Sequence, residues 1–394
     1  MKGTKNELDL DPSEFTEGDD CQPEIKSLNE LSPEMKEELR RVGLMVEAEQ
    51  SAGTYLQQDQ SVSFCQERSA NVEVMPIQAA LDKHEWLGRE YSWNVVPRDL
   101  DQYTEDAAKV EKVQGYFIRS LAGHIEKAPV QTCLYMRGGG SKQVVHNIII
   151  AEEGSEMNIV TGCAAQHGIS RALHEGISEF YVKKNAKITF TMIHEWEEGI
   201  EVRPRSAIYL EEGAQFINNY VILKPVKAIQ SNPIAYLKGD NSRVLFQTMV
   251  FGKEKSYIDV GSRAILDGRN TSAEMITRAI ATDASTIIAR GLITGNGDNA
   301  KGHLECRGMI LSNDARIDSI PELDASNTEV DITHEAAVGK IAQEEIQYLQ
   351  ARGATEDEAT SMIINGFLSF DFSELPPEIA KETQRIIDIT MDAS

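Results

Sequence analysis

Short runs rich in β-branched residues recur through the middle of the chain. They read VVHNIII at 144–150, ITFTM at 188–192, VLFQTMVF at 244–251 and IIARGLI at 287–293. Each run has the length and composition of a buried β-strand. No amphipathic helical pattern alternates with these runs, which disfavours a doubly wound α/β sheet.

Short turn signals, each a turn-forming residue followed by a small one, separate the runs. The turn formers are Gly154, Asn185, Gly213, Asn241, Asp283, Asp314 and Asn327. Most neighbours in this series are separated by close to one coil of a β-solenoid, in which units that cannot bury a face alone stack on one another. The step from Asn241 to Asp283 is longer and the step from Asp314 to Asn327 is much shorter, so the period is not strict. We therefore expect a mainly β protein with a β-helix (solenoid) core, and a β-sandwich is the structural alternative.

Helical patterns flank the β region on both sides. Ser32-Pro33-Glu34 predicts a helix start, and Gly43 predicts its end. At the other end, an apolar stripe predicts a helix over 336–351, and Thr355 to Glu358 form a capping box that opens a second helix. Pro376-Pro377 predicts the start of a third.

These patterns divide the chain into three regions. The sequence predicts an acidic leader with an N-terminal helical region over residues 1–110, a β-helix core over 111–335, and a C-terminal helical domain over 336–394. A helical cap on a solenoid has a physical reason, because an uncapped coil exposes unpaired strand edges.

Composition excludes several classes of protein. The 394 residues include 39 Lys and Arg against 63 Asp and Glu, a formal net charge of −24, which argues against a nucleic-acid partner. No apolar run approaches the length of a membrane-spanning helix and the polar N-terminus lacks the core of a signal peptide, so we expect a cytoplasmic protein without a membrane partner. The cysteines, expected to be free thiols in a reducing compartment, are Cys21, Cys65, Cys133, Cys163 and Cys306.

Two segments of the sequence contain candidate metal ligands. In GHLECRGMIL at 302–311, strand alternation puts Cys306 on the face opposite His303 and Arg307. His334 and Glu335 follow about one coil later, where the last strand is predicted to give way to helix. Thiolate, imidazole and carboxylate together suit iron or zinc. A buried thiol and a helix-capping acidic residue are the structural alternative.

From Cys306 to Phe367 the sequence resembles the SufB/SufD scaffold family of the SUF iron–sulfur cluster assembly system. The resemblance rests on Cys306, SNDA at 312–315 followed by Pro321, VDITHEAAVGKI at 330–341 and YLQARG at 348–353. The middle region is similar in HNIII at 146–150, EGS at 153–155 and VTGC at 160–163. The resemblance covers about residues 115 to 370.

The resemblance implies a right-handed parallel β-helix and a function. Cys163 would accept sulfur, which would travel inside the β-helix. Cys306, with His334 and Glu335 beside it, would hold a transient iron–sulfur cluster at a subunit interface, from which it passes to apo-proteins. A sulfur-accepting thiol is expected to be reachable or activated by nearby charge, with His167 or Arg171 as candidates.

The resemblance also implies partners. These are a sulfur donor such as a cysteine desulfurase system, a SufC-like ABC-type ATPase docked on the C-terminal helices, and a second scaffold chain paired through the β-helix. The chain is then a scaffold and not an enzyme, because the ATPase activity belongs to its partner.

Some features of the sequence are typical of SufB and others are similar to SufD. Thr333 stands where SufB sequences usually carry an acid, and Asp314-Ala315-Arg316 and Val338-Gly339 are similar to SufD, whereas Cys306 is typical of SufB. The simplest account is one scaffold subunit that acts as a homodimer, and pairing with a SufB/SufD paralogue is the other form of assembly.

A SufD-like structural partner that holds no cluster is the alternative function. A β-helix polysaccharide lyase or hydrolase is disfavoured by the few aromatic residues in the middle region.

Overall fold

The structure is a computed structural model that describes residues 10–18, 23–46, 51–112 and 114–368. Cys21 and the third C-terminal helix predicted from Pro376 lie outside these residues.

Strands account for about half of the chain. The first eleven in chain order are β1 Thr16–Glu17, β2 Gly53–Gln58, β3 Ser61–Glu67, β4 Val72–Pro76, β5 Tyr116–Ser120, β6 Val130–Met136, β7 Ser141–Ala151, β8 Glu156–Ala165, β9 Ala172–Val182, β10 Lys187–Glu195 and β11 Ile200–Val202. The others are β12 Arg205–Leu210, β13 Gln215–Ile222, β14 Ala228–Ser231, β15 Ile234–Leu237, β16 Arg243–Gly252, β17 Tyr257–Leu266, β18 Ser272–Ala281, β19 Thr286–Gly295, β20 Lys301–Ile310, β21 Arg316–Ala325 and β22 Asp331–Gly339.

Helices lie towards both ends of the described chain. They are α1 Pro33–Arg41, α2 Ile77–Lys83, α3 Glu85–Glu90, α4 Gln102–Ala107, α5 Gln343–Gln350 and α6 Glu356–Leu368. Among the described residues, none of the helices has both the length and the apolar character needed to cross a membrane.

The strands form two sheets that face each other across one interior. Sheet B runs β22-β20-β18-β16-β13-β10-β8-β6-β2-β3, and twelve strands, including β7, β9, β17, β19 and β21, form sheet A. Pairing is parallel except for β2 with β3 and β4 with β5. The predicted β-helix is confirmed as a β-solenoid of about eight turns, and the β-sandwich alternative is wrong.

The corners of the solenoid explain the irregular spacing of the turn signals. One corner, which precedes the strands of sheet B, has positive φ at Gly154, Asn185, Gly213, Asn241, Asn270 and Asn299, which recur once in every coil at a nearly constant interval. Asp283 has a positive φ at a different corner, which precedes β19 of sheet A. The long and short steps in the series of turn formers therefore come from mixing two corners, and the repeat itself is regular. Asparagine suits these positions because it tolerates the left-handed region better than most residues.

Helices from both ends of the described chain pack on the outer face of sheet B. Leu39 and Val42 at α1 and Ile364 of α6 are buried in one cluster with Met249 and Phe251 of β16. Burial of these apolar faces is what holds short helices in place, since helices of this length are marginal alone.

The predicted helix ends are mostly confirmed. The Ser32 hydroxyl accepts the Met35 N–H at 3.2 Å, and Gly43 follows α1 with φ +83°. The capping box is present too, because Glu358 N–H donates to Thr355 Oγ1 at 3.2 Å and Thr355 N–H donates to Glu358 Oε2 at 2.8 Å.

One sequence-based assignment of secondary structure is wrong and another is incomplete. The helix predicted from Ala336 begins at Gln343, because residues 331–339 form β22 and pair in register with β20. The N-terminal region, predicted to be helical after its leader, also contains β2, β3 and β4, of which β2 pairs with β6 and extends sheet B. In both places pairing with a neighbouring strand outweighs local preference.

A buried carboxylate fixes the loop after α3 on the solenoid. Glu179 of β9 accepts the backbone N–H groups of Trp93, Asn94, Val95 and Val96 at 2.6 to 3.2 Å, and the ring of His146 lies 2.7 Å away. Burial by itself would raise the pKa of Glu179, but His146 and the backbone donors hold it below its usual value.

Candidate functional site

Cys306 lies in the interior at the C-terminal end of the solenoid. Leu304 and Cys306 point into the core from β20, while Glu305 and Arg307 point outwards and form an ion pair at 3.1 Å. The predicted alternation is confirmed. Burial raises the pKa of the Cys306 thiol, against the opposing influence of the Ser319 hydroxyl and the Arg278 charge.

The last strand of sheet B carries the other two predicted site residues. In the parallel register of β20 and β22, His334 pairs with Leu304, Glu335 with Glu305, and Ala336 with Cys306. His334 is thus on the same sheet face as Cys306, one diagonal step away, at a Cα separation of about 8 Å. Glu335 is on the opposite face.

The structure therefore brings together two of the three residues. Cys306 and His334 share the inner face, whereas Glu335 lies on the outer face beside Glu305. Among the residues described, no group of three or more His, Cys, Asp or Glu side chains is arranged to hold a metal ion. His334 and Glu335 are both exposed, because β22 is the terminal strand of sheet B.

Cys163 lies deep inside the solenoid, in β8, and is fully buried. The expectation that it is reachable is wrong. So is the expectation that His167 or Arg171 activates it: the His167 side chain is 90% exposed and lies 3.3 Å from Glu197, and Arg171 pairs with Glu14 at 2.6 Å. Burial raises the pKa of the Cys163 thiol well above its usual value.

Three interior residues beside Cys163 were not predicted from the sequence. His194 is the register partner of Cys163 on β10, and the Trp196 indole Nε1–H donates to His194 Nδ1 at 2.9 Å. The Tyr220 ring lies edge-on to the His194 ring at 4.7 Å. The step along the chain from Cys163 to His194 equals the step between the turn formers Gly154 and Asn185, so the turn spacing could have identified His194.

A cleft of about 380 Å³ opens close to Cys163. Its walls include Ala164 and Ala165, which directly follow Cys163, together with Trp196. Glu38 and Arg41 of α1 line the other side. The cleft therefore brings solvent to within one residue of the buried thiol.

A continuous column of interior side chains connects the regions of the two cysteines. Strand register aligns Thr161, Met192, Tyr220, Thr248, Thr277 and Cys306 on successive strands of sheet B. Thr161 lies on the same strand as Cys163 and on the same face, so the column begins beside Cys163 and ends at Cys306.

Fold and thiols together define a class, the parallel β-solenoids whose closed interior carries unpaired cysteines. A comparison with known protein families identifies one family within this class. The family model described as the SUF system FeS cluster assembly SufBD core domain matches residues 134–367. The chain belongs to the SufBD family of the SUF system.

Curated relatives agree with the family match. A protein named as an iron-sulfur cluster assembly SufBD family protein from Methanothermobacter thermautotrophicus (strain Winter) is 49% identical over 371 residues, which are 93% of this chain and 90% of the relative. A protein of that family name from Archaeoglobus fulgidus is 47% identical over 354 residues, 90% of this chain and 94% of the relative. One from Staphylococcus saprophyticus is 28% identical over 410 residues, covering all of this chain and 85% of the relative.

Proposed function

We propose that this chain is a SufB-type scaffold on which an iron–sulfur cluster is built and from which it passes to apo-proteins. The observation that carries the proposal is the position of Cys306, an inward-facing thiol next to an exposed terminal strand that bears His334 on the same face. A nascent cluster has to be held and then released, and mixed thiolate and imidazole ligands suit such exchangeable binding better than four thiolates do.

Glu335 takes a different place in the proposed site. Glu335 faces outwards from the terminal strand, and its proposed role is to bind iron at an interface with a second chain. Cys306 and His334 are then ligands on the inner face, and Glu335 is the ligand on the partner-facing side.

Anaerobic reconstitution tests the cluster site. Iron and sulfide added to the wild-type protein are expected to produce a visible chromophore that is lost in Cys306→Ala. Cys133→Ala is the matched control, because Cys133 is also buried but faces the cluster of α1 and α6. A Cys306→Ala protein that forms the chromophore to the wild-type level would show that Cys306 is not a ligand. A wild-type protein that forms no chromophore would favour the SufD-like alternative, a structural partner without a cluster of its own.

Sulfur is proposed to enter at Cys163. In the transfer, the Cys163 sulfur attacks the outer sulfur of a donor persulfide, the donor S–S bond breaks, and the donor leaves as a thiol. Net, a Cys163 thiol and a donor persulfide anion become a Cys163 persulfide anion and a donor thiol. The interior column from Thr161 to Cys306 supports onward passage of this sulfur inside the solenoid.

The proposed assembly is a homodimer in the cytoplasm, formed through the exposed strand β22. An unpaired strand edge is a ready template for pairing with another chain. Mass measurement of the purified protein is expected to give twice the chain mass. Recovery solely as a heterodimer with a second scaffold chain would contradict the homodimer.

The proposed docking surface for a SufC-type ATPase consists of exposed residues on α5 and α6. Ile363, Ile364 and Phe367 pack against sheet B, whereas Met362 is 58% exposed and Tyr348 is 57% exposed. Met362→Asp is expected to reduce co-purification of the ATPase. Ile125→Asp, at an equally exposed apolar residue elsewhere, is the control, and equal co-purification by both variants would reject this surface.

A further inference from the structure

Two polar side chains in the interior near Cys163, His194 and Tyr220, each have one polar atom without a hydrogen bond in the described part of the chain. His194 is 2% exposed, and its Nε2 atom makes no hydrogen bond within the described part of the chain. The Tyr220 hydroxyl is buried as well and is also without a hydrogen bond among the described residues, although Ser231 of the facing sheet lies near it. Unsatisfied buried donors are costly and therefore need an explanation.

His194 lies next to Cys163 in the sheet, where its Nε2 atom can donate a hydrogen bond to sulfur. It is the direct register partner of Cys163, so both side chains lie on the inner face of sheet B with their Cβ atoms about 5 Å apart. The Tyr220 ring packs edge-on against the His194 ring and belongs to the neighbouring column of the same sheet. The two free donors and the thiol thus share one interior space.

Trp196 decides which nitrogen of His194 carries the proton. An indole N–H can only donate, so the bond from Trp196 Nε1 to His194 Nδ1 requires a lone pair on Nδ1. The proton of the neutral ring is then on Nε2, the atom without a partner. The His174 ring packs against the indole of Trp196, with the ring centroids 5.2 Å apart, and restrains its position.

The imidazole of His194 is neutral. Burial and the nearby His174 lower the pKa of His194 to about 3. It therefore donates a hydrogen bond to sulfur without adding a positive charge to the interior.

We propose that His194 Nε2–H and the Tyr220 hydroxyl form a binding site for a sulfur anion on Cys163, the persulfide that the thiol carries after it accepts sulfur. The inference rests on the proposed sulfur-accepting role of Cys163 and adds the groups that stabilise the product. A hydrogen bond to a charged acceptor is stronger than one between neutral groups, so two fixed donors offset part of the cost of burying the anion.

In this site, neutral hydrogen-bond donors take the place of the positively charged neighbours that are expected to activate a reactive thiol. Cationic neighbours commonly stabilise a thiolate, but His167 and Arg171 point elsewhere. Neutral donors leave the sulfur mobile, because they hold it less tightly than a fixed ion pair would. That property suits a sulfur which has to move on towards Cys306.

Persulfide loading tests the site. The full-length protein is treated anaerobically with glutathione persulfide and then alkylated, and the Cys163 peptide is quantified by mass spectrometry. His194→Leu removes the donor, His194→Gln keeps both an acceptor for Trp196 and an N–H donor, and Tyr220→Phe removes only the hydroxyl. Tyr116→Phe is the control, because the Tyr116 hydroxyl already contacts Thr161 at 3.4 Å.

We expect His194→Leu to lower the persulfide on Cys163 about tenfold or more, in line with the loss of a hydrogen bond to a charged group. His194→Gln is expected to restore most of it, and Tyr220→Phe to give an intermediate loss. Tyr116→Phe is expected to load like the wild type. Wild-type loading in both His194→Leu and Tyr220→Phe would overturn the inference, as would a His194→Gln protein that is folded yet loads as poorly as His194→Leu.

Failure of the proposed function looks different. If the wild-type protein itself takes up no persulfide at Cys163, the sulfur-accepting role is wrong whatever the variants do. Thermal unfolding of each variant shows whether it is folded. If His194→Leu does not fold, Tyr220→Phe decides between the outcomes.

Discussion

His334 lies directly opposite Leu304 in the parallel register of the last two strands of sheet B, although Leu304 is buried and His334 is exposed. The pairing fixes the face on which the histidine lies, because partners in register share a sheet face. One diagonal step separates His334 from Cys306. A one-residue slip of β22 would instead put Glu335 on that face and His334 outside.

This register predicts unequal effects of mutating the terminal strands. His334→Ala is expected to lower iron retention after anaerobic reconstitution at least about tenfold, since losing even an outer partner of a metal ligand has an effect of that size. His303→Ala is the matched control, because His303 lies on the outer face and its Nδ1 is 2.9 Å from Thr333 Oγ1. Equal iron loss in the two variants would contradict a site on the inner face.

The close contact of Gly162 with Val42 predicts that the packing of α1 on sheet B requires a glycine at position 162. A Cβ added at Gly162 would lie 2.4 Å from Val42 Cγ2 and 2.9 Å from the Val42 carbonyl oxygen. Gly162→Ala is therefore expected to lower the free energy of unfolding by about 1–3 kcal/mol, the usual cost of overpacking. Urea denaturation measures it, with Gly139→Ala as the control, because a Cβ there meets nothing within 4 Å among the described atoms. Similar midpoints for both variants would mean that α1 moves aside freely.

The buried carboxylate of Glu179 predicts a large loss of stability and a dependence on pH. Glu179→Ala leaves four backbone N–H groups without their acceptor, and the expected loss is about 3 kcal/mol or more in the free energy of unfolding. Because the pKa of Glu179 is lower in the folded protein, its contribution is present above the ordinary carboxyl pKa and is lost as the pH falls through the folded value. Urea denaturation at neutral and acidic pH should show the gap between wild type and variant closing in acid. An unchanged gap would reject the assignment, and Glu274→Ala, at an exposed residue, is the control.

A second buried carboxyl, Glu175, predicts the opposite dependence. Burial and the negative charge of Asp106 raise the pKa of Glu175 to about 9. A raised carboxyl pKa gives stability that is complete at low pH and is lost as the pH rises through the folded value. Glu175→Gln mimics the protonated form, so it is expected to raise the free energy of unfolding by roughly 2 kcal/mol at neutral pH, with a smaller gain near pH 4. Denaturation curves across this range measure the difference, and a gain that grows in acid would contradict it.

The sequence predicts the solenoid well because the features that define it are local. Asparagine or glycine at the corners and β-branched runs between them are readable from single coils, as at Asn185 and Asn241. Strand alternation alone also puts Cys306 and Arg307 on opposite faces of β20, as the structure confirms. The two corners were harder to separate, because Asp283 has a turn-forming side chain and a positive φ like the asparagines.

What the sequence does not predict depends on pairing between distant segments. Residues 333–337 read THEAA, which favours helix locally, yet the hydrogen bonds of β20 make them a strand. Burial of Cys163 depends on the two sheets that enclose the interior, and the position of the His194 ring depends on Trp196, two positions later.

The stacking of strands in sheet B sets the distance between Cys163 and Cys306 along the solenoid axis. Cys163 on β8 and Cys306 on β20 are separated by five steps between paired strands, and at about 4.8 Å a step the two cysteines are about 24 Å apart along the axis. Gain or loss of one whole coil would change that separation by a single step and leave every remaining side chain on its own face. The solenoid therefore acts as a ruler, in which the number of repeats between two thiols sets the distance that sulfur has to cover.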